Sequence, residues 1–237
     1  MLPLRPVGNS KRHDDAESPF WISFADQMTA LMVLFLVALT VAMFAITEEV
    51  AQVEQQEDAR TQDIANFLQR MKQLADAHPG VSLRGTAIDF GERARFESNS
   101  HKLNEAQARL LRNFAPEVLA LARDPLGSRW LKRISVVGFA DASGNYLHNL
   151  NLSLQRSERV LCVLLVPPAG IPPLSDAERQ QVRQLFMVSG ASFNDLKNSP
   201  EESRRIELRL EFYEADERLP TAAAITLTDN RCPLDSP

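Results

Sequence analysis

The chain has 237 residues, a formal net charge of −5 and 24% charged side chains. That mildly acidic balance, with no basic stripe, gives no reason to expect direct nucleic-acid binding. Its four histidines (His13, His78, His101 and His148) are scattered, and there is no Gly-rich phosphate loop, no Gly-x-Ser-x-Gly and no Cys-x-x-Cys. The expectation is therefore no enzyme, no metal and no cofactor.

Residues 1–19 mix Pro, Gly, Asn and both charge signs, and read as a flexible tail. Residues 20–46, FWISFADQMTALMVLFLVALTVAMFAI, hold one ionisable side chain, Asp26. About 20 apolar residues at ~1.5 Å each cross a hydrocarbon core of about 30 Å, so this stretch predicts a single membrane-spanning helix. It is too long for a cleavable signal, acidic residues precede it, and no small-residue cleavage site comes before Glu48 and Glu49. Arg5, Lys11 and Arg12 precede the span, while the first basic residue after it is Arg60. This bias puts the N-terminus in the cytoplasm and residues 47–237 outside the inner membrane.

Asp26 admits two interpretations from the residues alone. A carboxylate in hydrocarbon costs several kcal/mol, which makes it a functional candidate. Alternatively the hydrocarbon begins near Met28, and Ser23-x-x-Asp26 is a capping box at the interface. As an ion carrier it would need a partner to shield it from lipid and complete the path.

Thr47 to Ala77 lacks Gly and Pro, and Ile64, Phe67, Leu68, Met71, Leu74 and Ala75 follow helical spacing. The span is thus expected to continue as a helical linker over residues 47–80, its apolar stripe meeting either a second copy or the chain's own domain. His78-Pro79-Gly80 ends it. Residues 83–90 and 93–96 predict a strand pair around Gly91. A helix follows over residues 104–123, with Pro116 marking a kink or a junction, then a turn at 124–128. Residues 134–139 predict a strand, 153–166 a helix and 167–173 a loop. Ser175-x-x-Glu178 caps a helix running to about Ser189. A polar loop over 190–203 leads to Arg205–Phe212, whose strict alternation predicts a half-buried strand. The tail, 214–237, reads as irregular. Cys162 lies in an apolar helical run and reads as a small buried hydrophobe, although an outer compartment also allows a disulfide to Cys232. The fold class expected is one N-terminal transmembrane helix followed, over residues 81–213, by an α/β domain with helices on one face of a mixed sheet.

Two motifs carry resemblances. Phe24-Ala25-Asp26-x-Met28-Thr29-Ala30-Leu31-Met32, followed by Leu34-Phe35-Leu36, resembles the transmembrane signature of the B-subunits of ion-driven rotary motors, the MotB-like family. Gly138-Phe139-Ala140-Asp141-x-x-Gly144 with Asn149-x-x-Leu152-Ser153-x-x-Arg156-x-x-x-Val160 is similar to the OmpA-like peptidoglycan-binding motif, and Arg204-Arg205-Ile206-Glu207 resembles that family's closing strand. Phe139-Ala140 stands where the family has His-Thr, and Ser157 where it has Ala. The wider context around Asp26, from Trp21 to Met32, looks closer to ZorB, the motor-like subunit of Zorya anti-phage defence systems, than to flagellar B-subunits.

The resemblance implies that Asp26 carries the translocated ion, a proton with sodium as the alternative. It implies a homodimer inside a ring of ZorA/MotA-like membrane subunits, with cytoplasmic defence effectors reached through that partner. It further implies that Asp141, Asn149, Leu152 and Arg156 bind the diaminopimelate stem peptide of peptidoglycan. Asp141 would receive the ammonium of the zwitterionic side chain and Arg156 its carboxylate. The competing expectation for the last pair is an internal salt bridge tying strand to helix. As whole-protein functions, a defence motor comes first, then a flagellar stator, then a passive tether between membrane and cell wall. Transport energisers of the TolR and ExbD kind rank lower, since they lack an OmpA-like domain.

Overall fold

A computed structural model of the chain describes residues 18–166, 170–215, 217 and 231–235. Residues 1–17 of the tail expected over 1–19, and most of the one expected over 214–237, lie outside them, while residues 18–19 already belong to the first helix. The chain divides into two units, Met1–Gln56 and Glu57–Pro237.

The first unit holds most of the apolar part of α1 (Ser18–Ala77). From Ser23 onward this helix is long and apolar enough to cross a membrane, with a window of mean hydropathy 2.6. Leu31, Leu34, Phe35 and Phe44 are exposed on it, as befits a surface meant for lipid or another helix. Its threonines need no outside partner. Thr29 Oγ1 donates to the Ala25 carbonyl at 2.7 Å and Thr40 Oγ1 to that of Val37 at 2.8 Å.

The second unit begins with the end of α1, and here the open question about its stripe is answered. Phe67, Met71 and Ala75, spaced four apart on one face, are fully buried in the unit's own core, with Leu68 and Leu74 packed beside them. The Phe67 ring meets Phe212 edge-on at 5.8 Å. Polar ties flank the stripe. Arg60 Nε donates to the Tyr213 carbonyl at 2.8 Å, Asp63 accepts the Trp130 indole N–H at 2.9 Å, and Arg70 pairs with Asp124.

The hairpin β1 (Ser82–Arg84) and β2 (Ala87–Asp89) turns at Gly85 and Thr86, not at Gly91 as expected. Gly91, at φ +55°, opens a 3-10 turn, Gly91–Ala94, and a Cβ there would lie 2.8 Å from the Gly80 carbonyl oxygen. Residues 93–96 therefore form no strand. Helix α2 (Glu105–Arg123) is opened by an Asn104–Gln107 capping box and runs on through Pro116. Asp124 caps α3 (Pro125–Trp130), where only a turn was expected.

Strand β3 (Leu131–Gly138) leads to α4 (Tyr146–Leu165), which starts well before the predicted Ser153 because Asn145 caps it, accepting from the His148 N–H at 2.8 Å. Helix α5 (Asp176–Leu185) ends early. Its predicted last turn is instead β4 (Phe186–Gly190), which pairs parallel to β3 with Ile134 opposite Phe186 and Gly138 opposite Gly190. The segment follows a capped helix with no Gly or Pro break before Gly190, and the pairing with β3 makes it a strand. A short helix α6 (Pro200–Ser203) precedes β5 (Ile206–Phe212).

The sheet order is β1-β2-β5-β3-β4, antiparallel except for β3–β4. Ile134, Val136, Leu208 and Leu210 turn one face toward Phe114, Val118, Val160 and Leu164 of α2 and α4. On the opposite face Arg133 and Ser135 bond Glu211. The expected architecture, a mixed sheet with helices on one face, is what the chain adopts. Cys162 does more than fill space. It is joined to Cys232 in a disulfide, Cα to Cα 5.3 Å, across a sequence separation of 70.

Candidate functional site

The site is built where α4 crosses the ends of β3 and β4. Gly138 and Gly190 face each other there, and a Cβ on either would strike Ser153, at 1.9 Å from its carbonyl oxygen and 2.6 Å from its hydroxyl respectively. Two missing side chains let the helix settle onto the strand ends. The Ser153 hydroxyl then accepts from the Ser192 N–H at 3.0 Å. Ser157, where the resembled family has Ala, donates to the Ser189 carbonyl at 2.9 Å and adds a second stitch to β4.

The loop from β3 to α4 and the segment around residues 98–99 enclose a pocket of about 230 Å³. All four residues expected to bind peptidoglycan line it: Asp141, Asn149, Leu152 and Arg156. Ala140 and Gly144 of the motif line it too, and Ser98, Asn99, Ser143 and His148, which the sequence did not single out as site residues, complete the wall. Asn149 is buried and its amide donates to the Ser143 carbonyl at 2.7 Å, fixing the loop's return. His148 Nε2 lies 2.8 Å from Asn99 Oδ1, closing the rim.

The charged pair does not behave as a pair. Asp141 bonds Arg204 Nη1 at 2.8 Å and accepts the Ser143 N–H at 2.9 Å. Arg156 is fully buried and donates to three main-chain carbonyls: Ser100 at 2.9 Å, Phe139 at 2.7 Å and Glu97 at 3.1 Å. The anticipated strand-to-helix salt bridge between Asp141 and Arg156 is thus replaced by two separate anchors. Each of the three Arg156 guanidinium nitrogens already has a carbonyl acceptor, so toward the pocket that it lines Arg156 presents its positive charge.

Burial pushes the Arg156 guanidinium down to about 10, partly opposed by the Asp141 charge, so it stays cationic at neutral pH. Burial would raise the Asp141 carboxyl, but hydrogen bonds from Arg204 and Ser143 outweigh it and hold the group below the usual carboxylate range. Arg204 is the residue sequence reasoning undervalued. Besides Asp141 it bonds the Phe96 carbonyl at 3.0 Å and Glu201 at 3.1 Å, joining the pocket loop to the segment before α2 and to α6. The doublet Arg204-Arg205 was visible only as a family-like strand opening.

The departure at Phe139 also finds its reason. Phe139 is buried with the Arg205 guanidinium 3.9 Å and that of Arg209 5.4 Å from its ring centre, an aromatic slot that a charged imidazole would disrupt. Ala140 is buried as well and donates its N–H to the Ser192 carbonyl at 2.8 Å. Asp26, the expected ion carrier, belongs to the other unit, on the exposed surface of α1.

No protein-family model matches the chain. It is 42% identical over 207 residues to the Zorya protein ZorB of Escherichia coli, a match covering 86% of this chain and 84% of that one. Among solved structures it is similar to the periplasmic domain of Helicobacter pylori MotB, at 16% identity, TM-score 0.41, covering 57% of this chain and 83% of that chain. It is also similar to the cell wall anchor of the type VI secretion system from Pseudomonas aeruginosa, at 17% identity, TM-score 0.36, covering 64% and 96%.

Proposed function

Because the chain belongs to the ZorB family of Zorya proteins, we propose that it is the peptidoglycan-anchored, ion-conducting stator subunit of an inner-membrane rotary motor serving anti-phage defence. The observation that carries this is the union on one chain of a lone carboxylate in an uncharged apolar helix and a pocket gathering Asp141, Asn149, Leu152 and Arg156. The first half suits a carrier. Of the two states of a carboxylic acid, the neutral one is the cheaper in hydrocarbon, so proton uptake and release at Asp26 would alternate between a mobile and a held state. Two copies inside a ring of ZorA/MotA-like subunits would shield Asp26 and let the ring move as it changes charge. The N-terminus would lie in the cytoplasm and the second unit in the periplasm.

The second half supplies the fixed point. Asp141 offers a carboxylate to the ammonium of a diaminopimelate side chain, and Arg156 offers its positive charge to the carboxylate. Asn149 and Leu152 would fill the space between. A motor needs such a grip, since torque without a fixed frame does no work.

The test is reconstitution of the chain with its partner subunit and the rest of its operon in a foreign host. Asp26→Asn should leave the complex assembled and abolish protection from phage. Asp141→Ala should abolish retention on purified sacculi. Full protection with Asp26→Asn would end the carrier role and leave a passive tether. Rescue of swimming in a stator-less strain, without protection, would make it a flagellar subunit.

A further inference from the structure

Beside the pocket stands an aromatic face that the binding of a stem peptide leaves unused. Tyr146 opens α4, three residues before Asn149, so the two lie about one helical turn, roughly 5 Å, apart on the same side. Tyr146 remains 42% exposed, yet its ring has partners. The Phe193 ring meets it edge-on at 5.6 Å, and the Asn194 amide donates to its hydroxyl at 3.3 Å. Its own carbonyl accepts from the Ser192 hydroxyl at 3.1 Å. The loop carrying Phe193 and Asn194 is tied to the pocket loop through the Ala140 N–H and Ser192 carbonyl, 2.8 Å. The ring lies outside the residues that line the pocket, but both are held by the tied loops at the carboxyl ends of the parallel pair β3–β4, where open sheets bind ligands.

Resting on the peptidoglycan reading of the pocket, we infer that Tyr146 is a platform for a sugar ring of the glycan strand. A pyranose presents a face of C–H groups, weakly positive, which matches the negative face of an aromatic ring. Its hydroxyl and acetamido groups project from the edge, where the Asn194 amide and the tyrosine hydroxyl lie. The reach is sufficient. The diaminopimelate residue is third in its stem, and three residues span at most about 10 Å, more than the one turn separating Tyr146 from Asn149. Because the ring is already immobilised, stacking on it incurs little ordering cost. The grip would then read both parts of the polymer, peptide in the pocket and sugar on the ring.

Binding is measured for the full-length chain in detergent against three probes: a stem tripeptide ending in meso-diaminopimelate, the disaccharide–tripeptide, and the disaccharide alone. Tyr146→Ala should weaken the disaccharide–tripeptide roughly tenfold, a factor worth about 1.4 kcal/mol, and leave the tripeptide unchanged. Tyr146→Phe, which keeps the face, should bind both like wild type. Asp141→Ala should lose both. Equal loss of both ligands with Tyr146→Ala would make the ring a mere pocket wall and overturn the platform, as would no loss at all. A change in self-association without a change in binding would overturn it too, marking the ring as a contact between copies. If wild type binds the disaccharide but not the tripeptide, the platform stands and the pocket reading fails. If it binds none of the three, both fail.

Discussion

Arg204 decides what kind of acid Asp141 is. The Asp141 carboxyl sits below its ordinary value of 3.8 in the fold, because Arg204 and Ser143 reward the charged form more than burial penalises it. A depressed folded value means that the contribution to stability is fully present above 3.8, the value the unfolded chain would show, and is lost as pH falls through the lower folded value. Arg204→Gln removes the main partner, so the Asp141 carboxyl should move upward and the acid limb of the stability curve should flatten. An NMR titration of that carboxyl in wild type and variant checks this; identical values in both would refute it. Arg156 makes a different forecast. The buried carbonyl of Phe139 and the part-buried ones of Ser100 and Glu97 depend on its guanidinium, and a buried acceptor left without a donor costs about 1–3 kcal/mol. Arg156→Ala should therefore lower stability by at least ~2 kcal/mol in chemical unfolding, besides weakening any ligand. A melting curve superimposable on wild type would show that the carbonyls find other donors.

Among the elements, α4 ties the pocket to the rest of the unit. One helix carries Asn149, Leu152 and Arg156 for the pocket, Ser153 and Ser157 for β4, and Cys162 for the disulfide. Arg159, one turn before Cys162, pairs with Asp235 at 2.7 Å, so the described end of the chain is fastened to α4 twice. Closing a loop of this length removes unfolded-state freedom worth about 4 kcal/mol on the chain-entropy view. Cys232→Ser should lower the thermal midpoint by several degrees, and adding reductant to wild type should reproduce most of that drop while leaving the variant unmoved. No change under reductant would show that the bond carries no stability.

At the scale of the whole molecule, the compact second unit begins inside α1, at Glu57. Phe67, Met71 and Ala75 are core residues of that unit, and removing a buried Phe side chain alone costs about 3–5 kcal/mol. A chain beginning at residue 57 should fold cooperatively in solution and bind sacculi. One beginning at residue 78, which lacks the whole stripe, should unfold at much lower denaturant or expose a surface that binds hydrophobic dye. Equal stability of the two would mean that the helix end is an accessory to the domain.

How much of this was legible beforehand follows from the range of each interaction. The apolar span, Asp26 within it, the capped starts of α2 and α5, and the alternation of β5 are written in short-range patterns, and the sequence determined them. The motif spacing from Asp141 to Arg156 likewise pointed to the pocket, because one loop and about three helical turns suffice to bring those residues to a single wall. Tertiary structure decided the rest. Strand β4 exists because β3 lies beside it, the stripe on α1 found its own domain when a second copy was equally compatible with its spacing, and Cys162 met Cys232 across 70 residues. Most telling is Asp141, whose partner is Arg204, 63 residues away, instead of Arg156 on the adjoining helix. Which of two cations reaches a carboxylate depends on how β5 docks against β3, and contacts of that range leave no periodicity in a single sequence.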